Sequence, residues 1–387
     1  MISNFDFTLS RIFRYIKRKK SNILNNFYFF ITTRNIFCLK LILDLASILK
    51  TKSKSSKVFE SIIYSGDNGV YLVKDNKHIC IYPGYAFGIS IFSDEIFLAI
   101  SISKNSAVVS FKLKGYFIGR KISNYYQKKA LYHYEKIHQI YVNKKYIFVA
   151  NTGSNAITTI ENTKSIFKNE VKHLYPFKDL TGFPITKDIN HINSVFPLRD
   201  GILFIAHNGG NLGSLIGLIH KNKCFAFSYK NKGCHDIAPL NNGIVFSDTF
   251  GKVSNKNSNS GFYWNKKLIS VPSNMVRGFH LGKKYIIIGS SVNAKREKRF
   301  DGNGSIYFID YSNNKKFSVP SSTSQVHDII GPNENRINSE NYQNIRLIEE
   351  SKDVMDILIE QFNNPIYESK INYQIELNRK IYPMETF

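Results

Sequence analysis

Four histidines and one arginine stand at corresponding places in this chain of 387 residues. His138 opens "HQIYVNKKYIFVAN", His191 opens "HINSVFPLRDGILFIAHNGG", His235 opens "HDIAPLNNGIVFSDTFGK" and His327 opens "HDIIGP". Arg277 heads the matching stretch "RGFHLGKKYIIIGSS". Imidazoles gathered at one place repel one another if protonated, and neutral ones still need partners when buried. A divalent metal meets both demands, because neutral imidazole ligates Zn, Mn and Fe. Three histidines with an open position form a catalytic zinc arrangement. On this account His138, His191, His235 and His327 are metal ligands. Arg277 would hold an anionic substrate group or a developing oxyanion. Asp248 would orient a histidine or act as a base. A second account is structural: each imidazole hydrogen-bonds the next repeat and staples the fold. The spacing alone leaves both open.

The elements that must position these residues follow from the repeat. From residue 58 onward, short apolar runs are separated by Gly, Asn, Asp and Ser, which is all-β patterning. The heads fall at Phe87, His138, His191, His235, Arg277 and His327, at intervals of 51, 53, 44, 42 and 50 residues. In four units, 12 positions separate the head from the small residue that closes the second run, as in His235 to Ser247; the unit at His191 carries a longer turn. Repeats of about 40–50 residues built from short strands predict a β-propeller. Six heads predict six blades. The last unit has only its first strand, so "SIIYSGDNGVYLVKDNKHICIY" (61–82) is expected to supply the outer strands and close the ring. The head residues then surround one mouth of the central channel. Asn151, His207, Asn208, Asp248, Ser290 and Ser291, at the ends of the second strands, are expected just outside them as ligand-binding positions.

The predicted organisation is a basic helical N-terminal extension and linker at 1–57, a six-bladed β-propeller at 58–333 and an acidic helical tail at 334–387. The segment 292–304, "VNAKREKRFDGNG", is expected to overhang the mouth, where Lys295, Arg296, Lys298 and Arg299 either close over an anion or form a solvated hairpin. The Gly-rich 206–215 stretch lacks the lysine and helix of a phosphate loop. His78, His133, His173 and His220 carry no functional expectation, and His280 is expected in the core.

The formal charge is +24, yet the lysines are scattered over turns, with no recognition helix or aromatic RNA-binding signature. Nucleic acid is therefore not the expected partner; an anionic ligand is. The four cysteines, Cys38, Cys80, Cys224 and Cys234, form no CxxC pair. Free thiols and the absence of a signal-peptide pattern give a cytoplasmic expectation. The apolar stretch 35–50 carries Lys40 and Asp44 and is shorter than the roughly 20 residues of a spanning helix. Together with its basic flank it could lie on the inner face of a membrane or pack on the main domain.

The stretches "INHINSVFPLRDG", "GCHDIAPLNNGIVFSDTFGKV" and "VRGFHLGKKYIIIGSSVNAKREKRF" resemble the successive signatures of a bacterial family of conserved hypothetical propellers. Those signatures are a Cys-His-Leu-Asn-Gly-like segment, a His-Ser-Pro segment with a Ser-Gly turn, and an Arg-Gly-Leu segment leading to a basic pair. The likeness spans roughly residues 130–330 and places the family's histidines on His191 and His235 and its arginine on Arg277. Asn190 stands where the family has Cys, Asp236 where it has Ser, and Phe279 where it has Leu. The resemblance implies the fold but no particular reaction. More widely, the chain looks like the six-bladed group of gluconolactonases, virginiamycin B lyase and peptidyl-amidoglycolate lyases; the last hold zinc on axial histidines near an arginine.

Two functions follow as expectations. One is a metal-dependent lyase or hydrolase acting on a small anionic or sugar-derived substrate. The other is a binding or scaffold propeller without chemistry, associated with glycan synthesis or a membrane-bound assembly.

Overall fold

A computed structural model describes residues 60–75, 77–102, 105–112, 129–134, 136–162, 170–207, 213–254, 257–264, 267–271, 275–292, 298–332, 337 and 345–376. Their strands form six antiparallel sheets, each ordered from an innermost strand outward. The innermost strands are Ala86–Phe92, Ile140–Val142, Ile192–Pro197, His235–Leu240, Val276–Leu281 and Val326–Ile330, which define blades 1 to 6. Each touches the next, and the sixth touches the first, so the sheets stand radially about a channel. The protein is a six-bladed β-propeller.

Alternation of small and large apolar residues lets adjacent blades pack face to face. The fourth and fifth blades share a core that includes Phe246, Phe262, Phe279 and Ile288, all fully buried. Gly88 marks a tight approach between blades: a Cβ there would lie 2.7 Å from the carbonyl of His138 and 2.8 Å from Cα of Gln139.

Ring closure follows the expected route. The innermost strand Val326–Ile330 pairs with Ile62–Gly66, which continues through Val70–Lys74 to Lys77–Tyr82. Side chains reinforce the join. Asp67 accepts hydrogen bonds from the backbone N–H groups of Ser324 and Gln325, at 3.1 and 3.0 Å. Tyr64 Oη accepts one from Ser322 N at 2.8 Å.

The tail departs from the helical expectation. One helix, Ser351–Phe362, is followed by two strands, Tyr367–Lys370 and Asn372–Glu376. These add to the outer edges of blades 3 and 2 respectively. The reason is the exposed edge: an outermost strand carries unpaired N–H and C=O groups, which a returning segment satisfies. The helix bridges blades 3 and 4. Asp200 accepts from Ser351 N at its start, and Gln361 bonds both N and O of Ile244 near its end. The N-terminal extension, 1–57, lies outside the described residues. Among the described residues no helix is long and apolar enough to cross a membrane.

Candidate functional site at the channel mouth

Each innermost strand carries an irregularity where its head residue lies. Register shifts occur between Ala86 and Gly88, Ile192 and Ser194, His235 and Ile237, and Arg277 and Phe279, and opposite His327. In blade 2, His138 N donates to Ala150 O while Ala150 N donates to Gln139 O, so two residues face one. A bulge adds twist and re-aims the side chains around it. Asp236 and Gly278, at the bulges of blades 4 and 5, have φ of +45° and +67°. Gly278 is also confined, because a Cβ there would sit 2.8 Å from Cα of Asp328.

The bulges turn the heads into one ring. Ring centroids are 4.8 Å apart for Phe87 and His138, 5.0 Å for His138 and His191, 4.7 Å for His191 and His207, and 4.7 Å for His207 and His235. On the other side, Phe87 and His327 are 5.1 Å apart, and Arg277 Nη1 lies 3.2 Å from His327 Nδ1. The structure therefore brings His138, His191, His235, His327 and Arg277 together at one mouth, around a narrow space lined by Phe87, His138, His235, Arg277 and His327.

Blade 3 differs in detail. Ile192 pairs with Ala206, as His235 pairs with Ser247 and Arg277 with Gly289, so Ile192 holds the register position of a head residue. His191 precedes the strand at φ +55°, and His207 enters the ring beside it. His207 follows Ala206 as Asp248 follows Ser247, and its ring stands between those of His191 and His235.

Hydrogen bonds fix which nitrogen of each ring carries the proton. Thr152 Oγ1 donates to Ile192 O at 2.5 Å, so it accepts from His138 Nδ1 at 2.7 Å. His191 Nδ1 donates to Asp188 Oδ1 at 2.9 Å. His235 Nδ1 donates to the carbonyl of Gly233, 2.7 Å away, with Thr249 Oγ1 at 2.8 Å. In the neutral form of such a ring, with Nδ1 protonated, Nε2 is a lone-pair acceptor. His327 is the opposite: a guanidinium only donates, so its Nδ1 accepts from Arg277 and its Nε2 carries the proton. The buried Nε2 atoms of His207, His235 and His327, and Nε of Arg277, have no hydrogen-bond partner.

The electrostatics agree. Burial, followed by the charge of neighbouring histidines and Arg277, holds His138 and His235 well below the usual histidine range. Burial and then His191 do the same for His207, and burial and then Arg277 for His327. Arg277 itself is lowered to about 10, mainly by desolvation, with Arg299 adding to the effect and Tyr85 and Asp236 opposing it. At neutral pH the mouth thus presents one guanidinium among the neutral imidazoles of His138, His207, His235 and His327.

Beneath the ring lies a polar girdle. Gln139 donates to Asp236 Oδ1 at 2.6 Å and accepts from Val195 N at 3.0 Å. Asp236 Oδ2 accepts from Gly278 N at 2.6 Å, and Asp328 Oδ2 from Ile89 N at 3.0 Å. Hydroxyls bridge other blades: Ser65 donates to Phe87 O, and Ser291 Oγ bonds both N and O of Val326. These groups do the stapling, which leaves the imidazole Nε2 atoms free for the channel. Sequence reasoning passed over them, although a signal existed: Gln139, Asp236 and Asp328 each follow a head residue, and Thr152 and Thr249 lie 14 residues after His138 and His235. Tyr85, 4.7 Å from Phe87 and 5.2 Å from His327 by ring centroids, was also missed.

Other predicted positions lie elsewhere. Asp248 is fully buried and accepts from Tyr229 at 2.8 Å and from Asn231, so it ties the last strand of blade 3 to blade 4. Asn151 is buried in blade 2 and donates to Thr158, which also bonds His173. Ser290 pairs with Val276 and Ser305 within its sheet. Asn208, Lys295 and Arg296 lie outside the described residues. At the base of the same basic loop, Gln325 Nε2 donates to the carbonyls of Val292 and Arg299, at 3.1 and 2.9 Å.

Among the described residues no group of three or more His, Cys, Asp or Glu side chains has the arrangement to hold a metal ion. His327 uses its Nδ1 lone pair on Arg277. The four histidines expected as ligands stand as a ring at one mouth.

Fold and mouth define a class: a six-bladed propeller with an imidazole–guanidinium channel entrance. No protein-family model matches the sequence, and no curated protein is significantly similar to it. Solved structures are similar in shape. A chain of a nidogen/laminin complex has 8% identity and a TM-score of 0.47, covering 70% of this chain and 97% of that one. A periplasmic gluconolactonase from Pseudomonas aeruginosa has 9% identity and a TM-score of 0.35, covering 70% and 98%. Apo AztD from Citrobacter koseri has 10% identity and a TM-score of 0.34, covering 70% and 96%. Similarity at this level carries no functional argument.

Proposed function

We propose that the channel mouth binds a small hydroxylated carboxylate, of the sugar-derived kind, and acts on it as a lyase or hydrolase. The observation that carries this reading is the sorting of donors and acceptors around the ring. Arg277 and the Nε2–H of His327 offer donors on the side of blades 5 and 6. His138, His191 and His235 offer Nε2 lone pairs on the side of blades 2 to 4. A carboxylate suits the first side and hydroxyl groups the second. Phe87 and Tyr85 wall the space between His327 and His138.

The chemistry follows from these roles. Arg277 holds the carboxylate and stabilises negative charge that develops beside it. An imidazole kept neutral by burial is ready to accept a proton from water or from carbon next to the carboxylate. The carbonyl of Gly233 and the Asp188 carboxylate keep His235 and His191 in the basic tautomer.

The test is calorimetric binding of aldonates, hydroxy acids and matched neutral polyols to the wild-type protein and to Arg277→Met. Carboxylates should bind and neutral polyols should not, with binding lost in the variant. Equal binding of both classes, or of neither, overturns the reading. Stoichiometric metal in untagged protein, removable only with loss of binding, would make the reaction a metal-dependent one.

A further inference from the structure

We propose that the loop tip bearing Leu180 and Phe183 docks the propeller on an anionic lipid surface, with the channel mouth on the docked face. This proposal is independent of the ligand that the mouth takes. Leu180 is 107% exposed, Phe183 69% and Ile189 54%, although other apolar residues of the same loop, such as Phe177, are buried. Three large apolar side chains in water within one short loop call for a partner.

The tip is built. Asp179 Oδ1 accepts hydrogen bonds from Thr181 N at 2.9 Å, Thr181 Oγ1 at 2.6 Å and Phe183 N at 3.0 Å. Asp179 N donates to Phe183 O at 2.9 Å, and Gly182 takes φ +86° with nothing near its missing Cβ. The base is held where Lys178 N donates to Tyr367 Oη at 3.1 Å. The loop thus holds its apolar side chains outward in a defined turn.

Its place in the fold decides the orientation. The loop runs from the fourth strand of blade 2, Val171–Tyr175, to the innermost strand of blade 3, Ile192–Pro197. It ends at His191 and carries Asp188, the partner of His191 Nδ1. It therefore rises on the face where the imidazole ring opens.

Shape and charge select the occupant. A stable protein partner needs roughly 800 Å² from each side, which a convex tip of two or three side chains does not offer. A lipid interface accepts such a tip. Lys187 is exposed four residues beyond Phe183. Asp188 is balanced by Lys136 and His191, whereas Asp179 keeps its charge, which the hydrogen bonds of the turn stabilise. The formal charge of the whole chain, +24, adds long-range attraction to anionic lipid.

The experiment is co-sedimentation of the full-length protein with vesicles of phosphatidylcholine alone or mixed with phosphatidylglycerol. The comparison is with the double variant Leu180→Asp/Phe183→Asp and with Lys187→Glu. The wild type should partition to the mixed vesicles. The double variant should bind at least ~10-fold more weakly, because both apolar burial and charge attraction are lost. Lys187→Glu should bind a few-fold more weakly, with the difference shrinking at high salt. An unchanged thermal midpoint in the double variant shows that the fold is intact. Undiminished vesicle binding by the double variant places membrane contact elsewhere in the chain and overturns the proposal. So does a wild type that ignores both vesicle types, or one that uses this tip only to hold a protein partner.

Discussion

Arg277 Nη1 stands 3.2 Å from Nδ1 of His327, and that single contact sets the polarity of the mouth. It makes His327 a donor toward the channel while His138, His191 and His235 remain acceptors. Replacing Arg277 by methionine removes a charged, planar donor and frees His327 to change tautomer. Carboxylate affinity should fall by ~10–100-fold, the worth of a charge-assisted hydrogen bond of about 1.5–3 kcal/mol. The thermal midpoint should hold or rise, because a desolvated guanidinium is removed. Calorimetry and thermal unfolding read the two effects separately.

Thr152 joins the ring to the fold. Its hydroxyl donates to Ile192 O in blade 3 and accepts from His138 in blade 2. Thr152→Val keeps the shape and deletes both bonds, leaving a buried carbonyl and a buried N–H unsatisfied. Urea unfolding should show a loss of about 1–3 kcal/mol. A loss within error would show that the staple is not mechanical.

Acid should destabilise the protein through the ring. His138, His207, His235 and His327 all have pKa values below the usual 6.5 in the folded state. On falling pH the unfolded chain takes up their protons first, so the unfolded state gains stability from about pH 7 downward. Above that range both states are neutral and the dependence fades. Thermal midpoints measured from pH 8 to pH 5 should decline, and His235→Asn should flatten the slope. A midpoint that rises on acidification contradicts the neutral ring.

Asp236 links its own blade 4 to three others beneath the ring. It accepts from Gln139 of blade 2 and Gly278 N of blade 5, while its own N–H donates to Ser194 Oγ of blade 3 at 2.6 Å. Asp236→Ala strands two buried donors, and the loss should be at least ~2 kcal/mol by urea unfolding. Folding unimpaired by this change would remove the girdle from the account of how the mouth is held.

The regular part of the architecture was legible in the residues. Heads spaced 42–53 residues apart predict six sheets, and a single unpaired last strand predicts closure by 61–82. Period-two alternation and repeat spacing are local properties, and every blade obeys them. The extra strands at 367–370 and 372–376 were not legible, because what makes them strands is the open edge of blades 3 and 2. Asp248 looked like a site residue by its place in the repeat, but a tyrosine and an asparagine from the preceding segment claim it.

By itself the sequence determined that imidazoles and one guanidinium would recur at equivalent strand starts, since that follows from the repeat length and the turn chemistry. Only the tertiary structure decided that they stand as a ring with sorted donors and acceptors. Tautomers depend on partners such as Thr152, Asp188, Gly233 and Arg277, which radial packing brings to each imidazole. The entry of His207 into the ring beside His191 likewise depends on tertiary geometry, which a one-dimensional alignment of heads does not contain.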